Sequence, residues 1–296
     1  MINYAEQYLL SFKKCLLFLT KTMLILLTIK KIDFKKIPGG ASLKTIKCTF
    51  LFLFLFTWKL QAATNCVAHR ALGYGGLENS LEAISQNVDR NSWGLEIDIH
   101  HTKDGKTIVY HDRRIKRFVL GKFCPMRSKI SKLTFDEIRE NCYLSNREKI
   151  PSLKEALERL SYGNTKLFLE IKDNKITEQD YLDIYEFFNN RPEQIYFISF
   201  DREVLEKIYR DSQLNTFLAK TKILLLKYNG NREQLNRLDG IDASRINGKY
   251  IEKYQAAGKL VGVYTKNRES DIKSYIEKGV DFITTDKTPL CNSLTI

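Results

Sequence analysis

The chain has 296 residues, 43% hydrophobic and 28% charged, which excludes an intrinsically disordered protein and leaves room for only one large domain. Its formal net charge is +13, but residues 1–64 supply +8 of this through ten lysines and only two acidic residues. The remaining +5, without a stripe of arginine and aromatic residues, gives no reason to expect nucleic acid as a partner.

Two apolar runs precede residue 65, Leu16–Ile29 and Cys48–Trp58. Both are shorter than the roughly 20 apolar residues of a membrane-spanning helix. The second run follows two lysines and precedes two alanines, which is the order of a secretory signal peptide. We therefore expect residues 1–64 to be a leader and residues 65–296 to be an exported domain, periplasmic or secreted. The alternative is an N-terminal membrane anchor.

The start of translation is a separate question. A non-standard initiation codon at Leu43 would give a compact signal peptide, and residues 1–42 would then not be translated. The alternative is a genuine, unusually long leader.

Beyond residue 64, strand-like and helix-like segments alternate, which predicts an α/β fold with a parallel sheet. The strand-like segments are Cys66–Arg70, Gly94–Ile99, Leu167–Lys172, Gln194–Phe200, Thr216–Lys227, Gly240–Ser244, Leu260–Thr265 and Asp281–Thr285. The helix-like segments include Ser80–Val88, Ser152–Leu160, Glu178–Asn189, Arg202–Asp211, Gly248–Ala257 and Arg268–Glu277. Eight strands with intervening helices predict a TIM-like (β/α)₈ barrel. An open doubly wound sheet is the alternative.

A further extended piece, Thr107–His111, follows the second predicted strand. The Asp104-Gly105 pair before it is a hairpin-turn signal. We expect this piece to fold back on the second strand.

Charged residues stand two apart at the ends of the second and third predicted strands. Glu96 and Asp98 share one face of their strand, and Glu170 and Lys172 repeat the pattern. Barrels collect functional groups at this end, and buried carboxylates are unfavourable unless paired or metal-bound. Glu96, Asp98 and Glu170 are therefore predicted to hold one hard divalent cation, Mg²⁺ or Ca²⁺. The alternative is an exposed edge with its charges in solvent.

All four histidines fall between residues 69 and 111. His69 ends the first predicted strand, and His111 ends the extended piece. Each is a candidate for proton transfer, because an imidazole titrates near neutral pH. An ordinary core or surface histidine is the alternative for His69. His100 shares the face of Asp98 and is expected to support the site at most.

Ten short pieces occur in one order and spacing along the domain. They are His69-Arg70, Glu78-Asn79-Ser80, Glu96-Ile97-Asp98, Lys103-Asp104-Gly105, His111-Asp112, Ile150-Pro151-Ser152-Leu153, Leu169-Glu170-Ile171-Lys172, Ser199-Phe200, Tyr264-Thr265-Lys266-Asn267 and Thr284-Thr285-Asp286. In this order the chain resembles the glycerophosphodiester phosphodiesterases over about residues 66–290. The family has a TIM-barrel fold, in agreement with the strand count.

The resemblance implies metal-dependent hydrolysis of small glycerophosphodiesters to glycerol 3-phosphate and an alcohol. The implied roles are metal binding by Glu96, Asp98 and Glu170, substrate and phosphate binding by Arg70, Lys172 and Tyr264, and general acid–base catalysis by His69 and His111. Four positions depart from the family pattern: Ala71 replaces a glycine, Leu77 a proline, Ser80 a threonine and Tyr264 a tryptophan. None of these departures removes a predicted metal ligand or histidine, so they bear on substrate preference.

Two other functions stay open. Spider-type phospholipase D toxins resemble the same family and act as lyases on lysophospholipid or sphingolipid headgroups. A catalytically inactive barrel that binds a phosphorylated ligand is the alternative that is not an enzyme.

Four cysteines follow residue 64, and an exported protein meets oxidising conditions. Four cysteines allow three pairings. Cys124 and Cys142 flank one connecting segment, so we expect them to form a disulfide. Four buried free thiols are the alternative.

The connection from Asp112 to Ile150 bears on substrate class. It carries a basic lip beside His111, formed by Arg113, Arg114, Lys116, Arg117 and Lys122. This lip would attract an anionic phosphodiester. Apolar residues interleave with it and are expected to pack underneath: Phe118, Val119, Leu120 and Phe123. We therefore expect soluble substrates to be cleaved better than bilayer lipids. A lipid-facing loop with transient membrane contact is the alternative.

Overall fold

The computed structural model describes residues 63–116 and 120–295. Residues 1–62 of the predicted leader, with the proposed start of translation, lie outside the described residues, and those hypotheses stay predictions. Within the described part of the chain, no helix is long and apolar enough to cross a membrane.

Nine strands form one sheet. They are β1 (Asn65–Ala68), β2 (Gly94–His101), β3 (Thr107–Val109), β4 (Lys166–Ile171), β5 (Ile195–Ser199), β6 (Lys222–Asn229), β7 (Gly240–Arg245), β8 (Leu260–Val263) and β9 (Phe282–Thr285). All except β3 run parallel, and β1 pairs with both β2 and β9, so these eight close into a barrel. This confirms the predicted TIM-like barrel and excludes the open sheet.

The hairpin after the second strand is also confirmed. β3 pairs antiparallel with β2, and Ile99 lies opposite Val109. Gly105 supplies the positive φ of the turn, 79°, that a residue with a side chain adopts less readily. β3 ends at Val109 rather than at His111, so His111 lies beyond the ladder.

Eight helices surround the barrel or extend it within the described residues. They are α1 (Leu81–Asp89), α2 (Phe135–Asn141), α3 (Leu153–Ser161), α4 (Glu178–Phe188), α5 (Arg202–Ser212), α6 (Gly248–Ala256), α7 (Glu269–Glu277) and α8 (Thr288–Leu294). Six match predicted helices within one or two residues, and the short helices α2 and α8 were not predicted. The side chain of a serine or threonine caps α1, α2, α3 and α4 at the amino end.

The region around β6 departs from the regular alternation of strands and helices, and the predicted start of this strand was wrong. Residues 230–239 between β6 and β7 contain no helix. The stretch is rich in asparagine and charge and buries Leu235 and Leu238 as its only large apolar side chains. β6 begins at Lys222 rather than at Thr216, because Leu218–Lys220 turns back on itself as a short 3₁₀ helix.

Apolar packing divides the barrel into a closed end and an open end. At the amino ends of the strands, aromatic rings fill the interior, with Phe168 stacked on Tyr196 at 4.4 Å and 5.0 Å from Phe282. Trp93 packs against the same cluster. Polar side chains follow on the same strand faces, and Glu170 stands two residues after Phe168. The functional groups therefore gather at the carboxyl ends.

The connection after His111 folds on a small core of its own, built from Ile108, Ile115, Ile130, Ile138, Ile150 and their neighbours. The predicted Cys124–Cys142 disulfide is confirmed, and a second disulfide joins Cys66 to Cys291. Leu120 and Phe123 are exposed rather than packed beneath the basic lip, so that expectation was wrong for both. Arg117, Phe118 and Val119 lie outside the described residues.

Candidate active site

Three carboxylates meet at the open end of the barrel. Glu96, Asp98 and Glu170 each offer an oxygen within 4.8 Å of the others; Glu96 and Asp98 are buried, and the side chain of Glu170 is only 12% exposed. Asp98 lies opposite Glu170 in the β2–β4 ladder. The alternative of an exposed edge with charges in solvent is therefore wrong. The role of the three as metal ligands stays a prediction.

Two of these carboxylates each keep one oxygen without a hydrogen bond in the described structure. Oε2 of Glu96 accepts the backbone N–H of Arg70 at 2.7 Å, and Oδ2 of Asp98 accepts Nδ2 of Asn79 at 2.8 Å. Oε1 of Glu96 and Oδ1 of Asp98 are buried without a hydrogen bond. Buried polar atoms normally find a partner, and clustered carboxylate oxygens suit a hard cation. The residues present therefore fit a divalent ion.

The charges of the three groups oppose one another. Burial raises the pKa of Glu96 well above its ordinary value, and Asp98 and Glu170 raise it further. Burial and Asp98 together raise the pKa of Glu170 to about 7. Burial also opposes the charge of Asp98, but Lys172 leads the interactions that hold its pKa below the ordinary value. Without a cation, protons therefore occupy part of this cluster at neutral pH.

Two cationic side chains flank the carboxylates. Nζ of Lys172 lies 2.8 Å from Oε1 of Glu170 and 3.4 Å from Oδ1 of Asp98. Nη1 of Arg70 donates to Glu78 at 2.8 Å, and its Nε lies 3.8 Å from Asp98. Lys172 lies just past the end of β4, not within the strand as predicted. Both cations are placed to meet an anionic substrate beside the carboxylates.

The turn after β1 explains why a glycine suits the position of Ala71. β1 ends at Ala68, two residues earlier than predicted, and His69–Ala71 form a 3₁₀ turn. Arg70 and Ala71 adopt φ values of 51° and 58°, in the left-handed region that side chains disfavour. This bend turns the N–H of Arg70 onto Glu96. The strained turn thus links the histidine to the carboxylates.

His69 is held by a carboxylate from the last strand connection. Its Nδ1 lies 2.7 Å from Oδ1 of Asp286, and Oδ2 of Asp286 accepts Nδ2 of Asn267 at 2.6 Å. Burial acts to raise the pKa of Asp286, but the interactions with His69, Asn267 and Arg70, led by His69, together hold that pKa below its ordinary value. An ionised Asp286 fixes the ring with its Nε2 free for proton transfer. Asp286 belongs to the Thr284-Thr285-Asp286 piece of the sequence, but its contact with His69 was not predicted.

His111 has a different environment. Its Nδ1 lies 3.1 Å from Oδ1 of Asp112, whose Oδ2 is 2.5 Å from Nζ of Lys116. Burial lowers the pKa of His111 to about 4; Asp98 opposes this shift, and Lys172 adds to it. The ring is therefore neutral in the substrate-free site. Nε2 of His100 lies 3.2 Å from the backbone carbonyl of His111, so His100 donates to it and supports its backbone.

Sequence reasoning gave no role to His101, which lies on the outer face of β2. The ring is fully buried, with Nδ1 at 2.9 Å from Asp173 and Nε2 at 2.8 Å from Asp180. Burial acts to lower the pKa of His101, but the two hydrogen-bonded carboxylates raise it to about 9. His101 follows Ile97 and Ile99 at two-residue intervals along β2 and so shares their face of the strand, and a histidine among buried apolar residues needs polar partners. That shared face was the available signal.

A second missed group lines the interior on β7 and β9. Asp242 is buried, its Oδ2 accepts Oγ1 of Thr284 at 3.3 Å, and its Oδ1 has no partner in the described structure. Burial raises the pKa of Asp242 to about 8, and Glu170 adds to this. The hydroxyl of Tyr264 is also buried without a partner there. Two buried polar atoms, Oδ1 of Asp242 and the hydroxyl of the predicted substrate residue Tyr264, thus lack a hydrogen bond within the described residues.

Comparison with known proteins shows what this chain resembles. The model of the glycerophosphoryl diester phosphodiesterase family matches residues 69–290. Glycerophosphodiester phosphodiesterase 1 of Homo sapiens is 27% identical over 92% of this chain and 89% of its own length. A crystal structure of a glycerophosphodiester phosphodiesterase from Parabacteroides distasonis is 24% identical, covers 79% of this chain and 97% of its own, and superimposes with a TM-score of 0.60.

A second solved structure adds a bound product. It is a phosphodiesterase from Oleispira antarctica in complex with the product sn-glycerol-3-phosphate. It is 20% identical, covers 78% of this chain and 96% of its own, and has a TM-score of 0.64. At these identities the two structures support the barrel fold.

Proposed function

The chain belongs to the glycerophosphoryl diester phosphodiesterase family, and on that basis we propose that it hydrolyses glycerophosphodiesters with the help of one divalent cation. As an enzyme of this family it is a phosphoric diester hydrolase. The proposed products are glycerol 3-phosphate and an alcohol. The observation that carries the metal dependence is the cluster of Glu96, Asp98 and Glu170, in which one oxygen of Glu96 and one of Asp98 lack a hydrogen bond within the described residues.

The carboxylate cluster is proposed to hold Mg²⁺ or Ca²⁺. Such an ion would polarise a phosphoryl oxygen and offset the charge that develops there. Arg70 and Lys172 already lie beside Asp98, so a phosphodiester at the open end of the barrel would contact cationic side chains as well. Fixed positive charges of this kind stabilise a transition state without reorganising.

Proton transfer is assigned to the two histidines. The attacking water forms a bond to phosphorus and passes its proton to Nε2 of His69, because Asp286 holds the ring at Nδ1 and stabilises the imidazolium that forms. The leaving oxygen takes a proton from His111. The neutral state of His111 in the substrate-free site implies that it gains this proton once the anionic substrate offsets Lys172 and Arg70.

The metal proposal is tested by chelation and by isosteric substitution. Chelator-treated protein should lose hydrolysis of glycerophosphocholine and regain it with added Mg²⁺ or Ca²⁺. Glu96→Gln, Asp98→Asn and Glu170→Gln should each weaken cation binding in calorimetry, and excess cation should partly rescue the weaker variants. Glu158→Gln on the exposed face of α3 is the matched control. Full activity of the chelated wild type would refute the proposal.

The acidity of the cluster sharpens that test. Glu170 has a pKa raised to about 7, so below this pH a proton competes with the cation. Cation affinity should therefore be roughly tenfold weaker at pH 6 than at pH 8 if one carboxyl titrates. Calorimetry at the two pH values measures it, and a pH-independent affinity would contradict the assignment of Glu170.

Export of the domain stays a proposal as well. The two disulfides support it, because such bonds persist in oxidising compartments. N-terminal sequencing of the native protein tests it, and a mature N-terminus before residue 60 would rule out cleavage of the leader. The preference for soluble substrates also stays a prediction, tested by comparing glycerophosphocholine with lysophosphatidylcholine.

A further inference from the structure

The segment that follows the catalytic mouth is strongly cationic. Residues 113–133 contain eight lysines and arginines and no acidic residue. Arg113, Arg114, Lys122 and Arg127 are exposed. Of the described cations in this segment, only Lys116 forms an ion pair with a described acid, Asp112. The other described lysines and arginines of this segment are therefore available to an external anion.

Three apolar side chains project among these charges. Phe123 is 74% exposed, Leu120 44% and Met126 36%. The small core beneath them is filled by other residues of the connection, Ile115 and Ile130 among them. Nζ of Lys122 lies 5.5 Å from the centre of the Phe123 ring, so charge and aromatic surface stand side by side.

Hydrogen bonds and a disulfide hold the described backbone around these side chains, so their exposure is built into the fold. The Cys124–Cys142 disulfide joins the tip of the segment, residues 120–126, to the end of α2. Leu120 and Tyr143 exchange backbone hydrogen bonds at 2.6 and 2.9 Å. The N–H of Ile115 donates to Ser128 at 3.1 Å. A tip held in this way presents its apolar side chains without a large loss of chain entropy on contact.

We propose that this surface, formed by Leu120, Phe123 and Met126 with Arg113, Arg114, Lys122 and Arg127, docks the enzyme on a bilayer that carries anionic lipid. Aromatic and aliphatic side chains enter the interface between headgroups and acyl chains, and lysine and arginine bind lipid phosphates. Three side chains are too few for a specific protein interface, which buries roughly 800 Å² on each partner.

Docking would bring the catalytic mouth to the lipid surface, because the segment begins directly after His111 and Asp112. This consequence for substrate supply rests on the proposed function, whereas the docking itself does not. Docking would favour the lipid-facing loop given above as the alternative for residues 112–150 over a loop that serves only soluble substrates.

Tryptophan at the tip reports the contact directly. Phe123→Trp in the full chain is compared with Leu214→Trp, which lies after α5 at the opposite end of the barrel and replaces a side chain that is 92% exposed. The spectrum of the parent, with Trp58 and Trp93, is subtracted, so membrane contact of the N-terminal segment does not contribute. The vesicles are phosphatidylcholine alone or with phosphatidylglycerol.

With the anionic vesicles, the emission of the tryptophan at position 123 should shift to the blue and be quenched by brominated lipid, whereas position 214 should not change. Lys122→Glu with Arg127→Glu in the same background should weaken this response by roughly tenfold or more. No response at position 123, or an equal response on neutral vesicles, would overturn the proposal. So would a blue-shifted emission without lipid in a protein that light scattering shows to be dimeric, because a second copy would then cover the surface.

Measuring hydrolysis separates the proposal of membrane docking from the proposed catalytic function. Phe123→Trp and Leu214→Trp should both hydrolyse glycerophosphocholine like the parent. If the parent itself does not hydrolyse this substrate, the proposed function fails while the vesicle result still stands.

Discussion

His101 and His111 lie near the same end of the barrel, and a nitrogen of each ring contacts an aspartate. The ring of His101 is fully buried and has a carboxylate at each nitrogen, Asp173 and Asp180. The ring of His111 is about a quarter exposed and has one carboxylate, Asp112, which it shares with Lys116. The pKa of the first is raised to about 9, and that of the second is lowered to about 4.

The difference shows that neither burial nor an adjacent aspartate decides the charge of a histidine. Burial lowers the pKa of both rings. The outcome depends on whether the surrounding charges offset burial: two carboxylates do so for His101, whereas beside His111 the effect of Asp98 is counteracted by Lys172 and Arg70. His101 therefore forms a charged cross-link between β2 and the start of α4. His111 stays neutral and able to exchange protons.

The largest expected effect follows from removing the proton-transfer group. His111→Asn should lower kcat for glycerophosphocholine by about 10²–10⁴-fold, the usual contribution of a positioned acid or base. Its free energy of unfolding should change little, because the ring is partly exposed and lies outside the core. Steady-state kinetics and urea unfolding measure both quantities. Unchanged kcat would remove His111 from the mechanism.

The second-largest effect is expected on stability, with activity retained, the opposite of His111→Asn. His101→Leu should reduce the free energy of unfolding by about 3–5 kcal/mol, because it leaves Asp173 and Asp180 without their cation. Urea unfolding at pH 7 measures it, with His111→Asn as the comparison. The activity of the folded fraction should stay close to wild type. A variant as stable as wild type would show that His101 is not a charged cross-link.

The pH dependence of stability isolates the same cross-link. The pKa of His101 in the folded protein, about 9, lies above its unfolded value of about 6.5. Its contribution is therefore complete below about pH 6.5 and is lost as the pH rises through about 9, in total about 3 kcal/mol. The difference in unfolding free energy between wild type and His101→Leu should shrink over this range. A constant difference from pH 6 to pH 10 would contradict the raised pKa.

The sequence predicted the parts of this site that local periodicity encodes. Glu96 and Asp98 stand two apart on an apolar strand, and that spacing alone placed both on the interior face. The barrel followed from the alternation of strands and helices. The disulfide between Cys124 and Cys142 followed from their closeness along the chain.

Features that depend on distant residues were not predicted. Asp286 reaches His69 from the other end of the domain, and Cys66 likewise pairs with Cys291. No local pattern marks either contact. Helix α2 has only seven residues, too few to show a helical period. The left-handed turn at Arg70 depends on the hydrogen bond to Glu96, which exists only once the barrel has closed.

The smallest expected effect tests whether Lys116 helps to keep His111 neutral. Nζ of Lys116 lies 2.5 Å from Asp112, and the other oxygen of Asp112 lies 3.1 Å from the His111 ring. Lys116→Met should leave the charge of Asp112 to act on the ring and raise the pKa of His111. The pair is partly exposed, so solvent screens it, and we expect a rise of less than about one unit.

An NMR titration of the His111 ring protons measures this rise in wild type and variant. Lys154→Met is the matched control, since Lys154 pairs with Glu186 at 2.7 Å on the outer helices and is comparably exposed. The control should leave the His111 titration unchanged. A pKa of His111 that stays fixed or falls in Lys116→Met would mean that Asp112 does not act on the ring through its charge. The low pKa would then come from burial, Lys172 and Arg70 alone, and the contrast with His101 would rest on the number of uncompensated carboxylates at each ring.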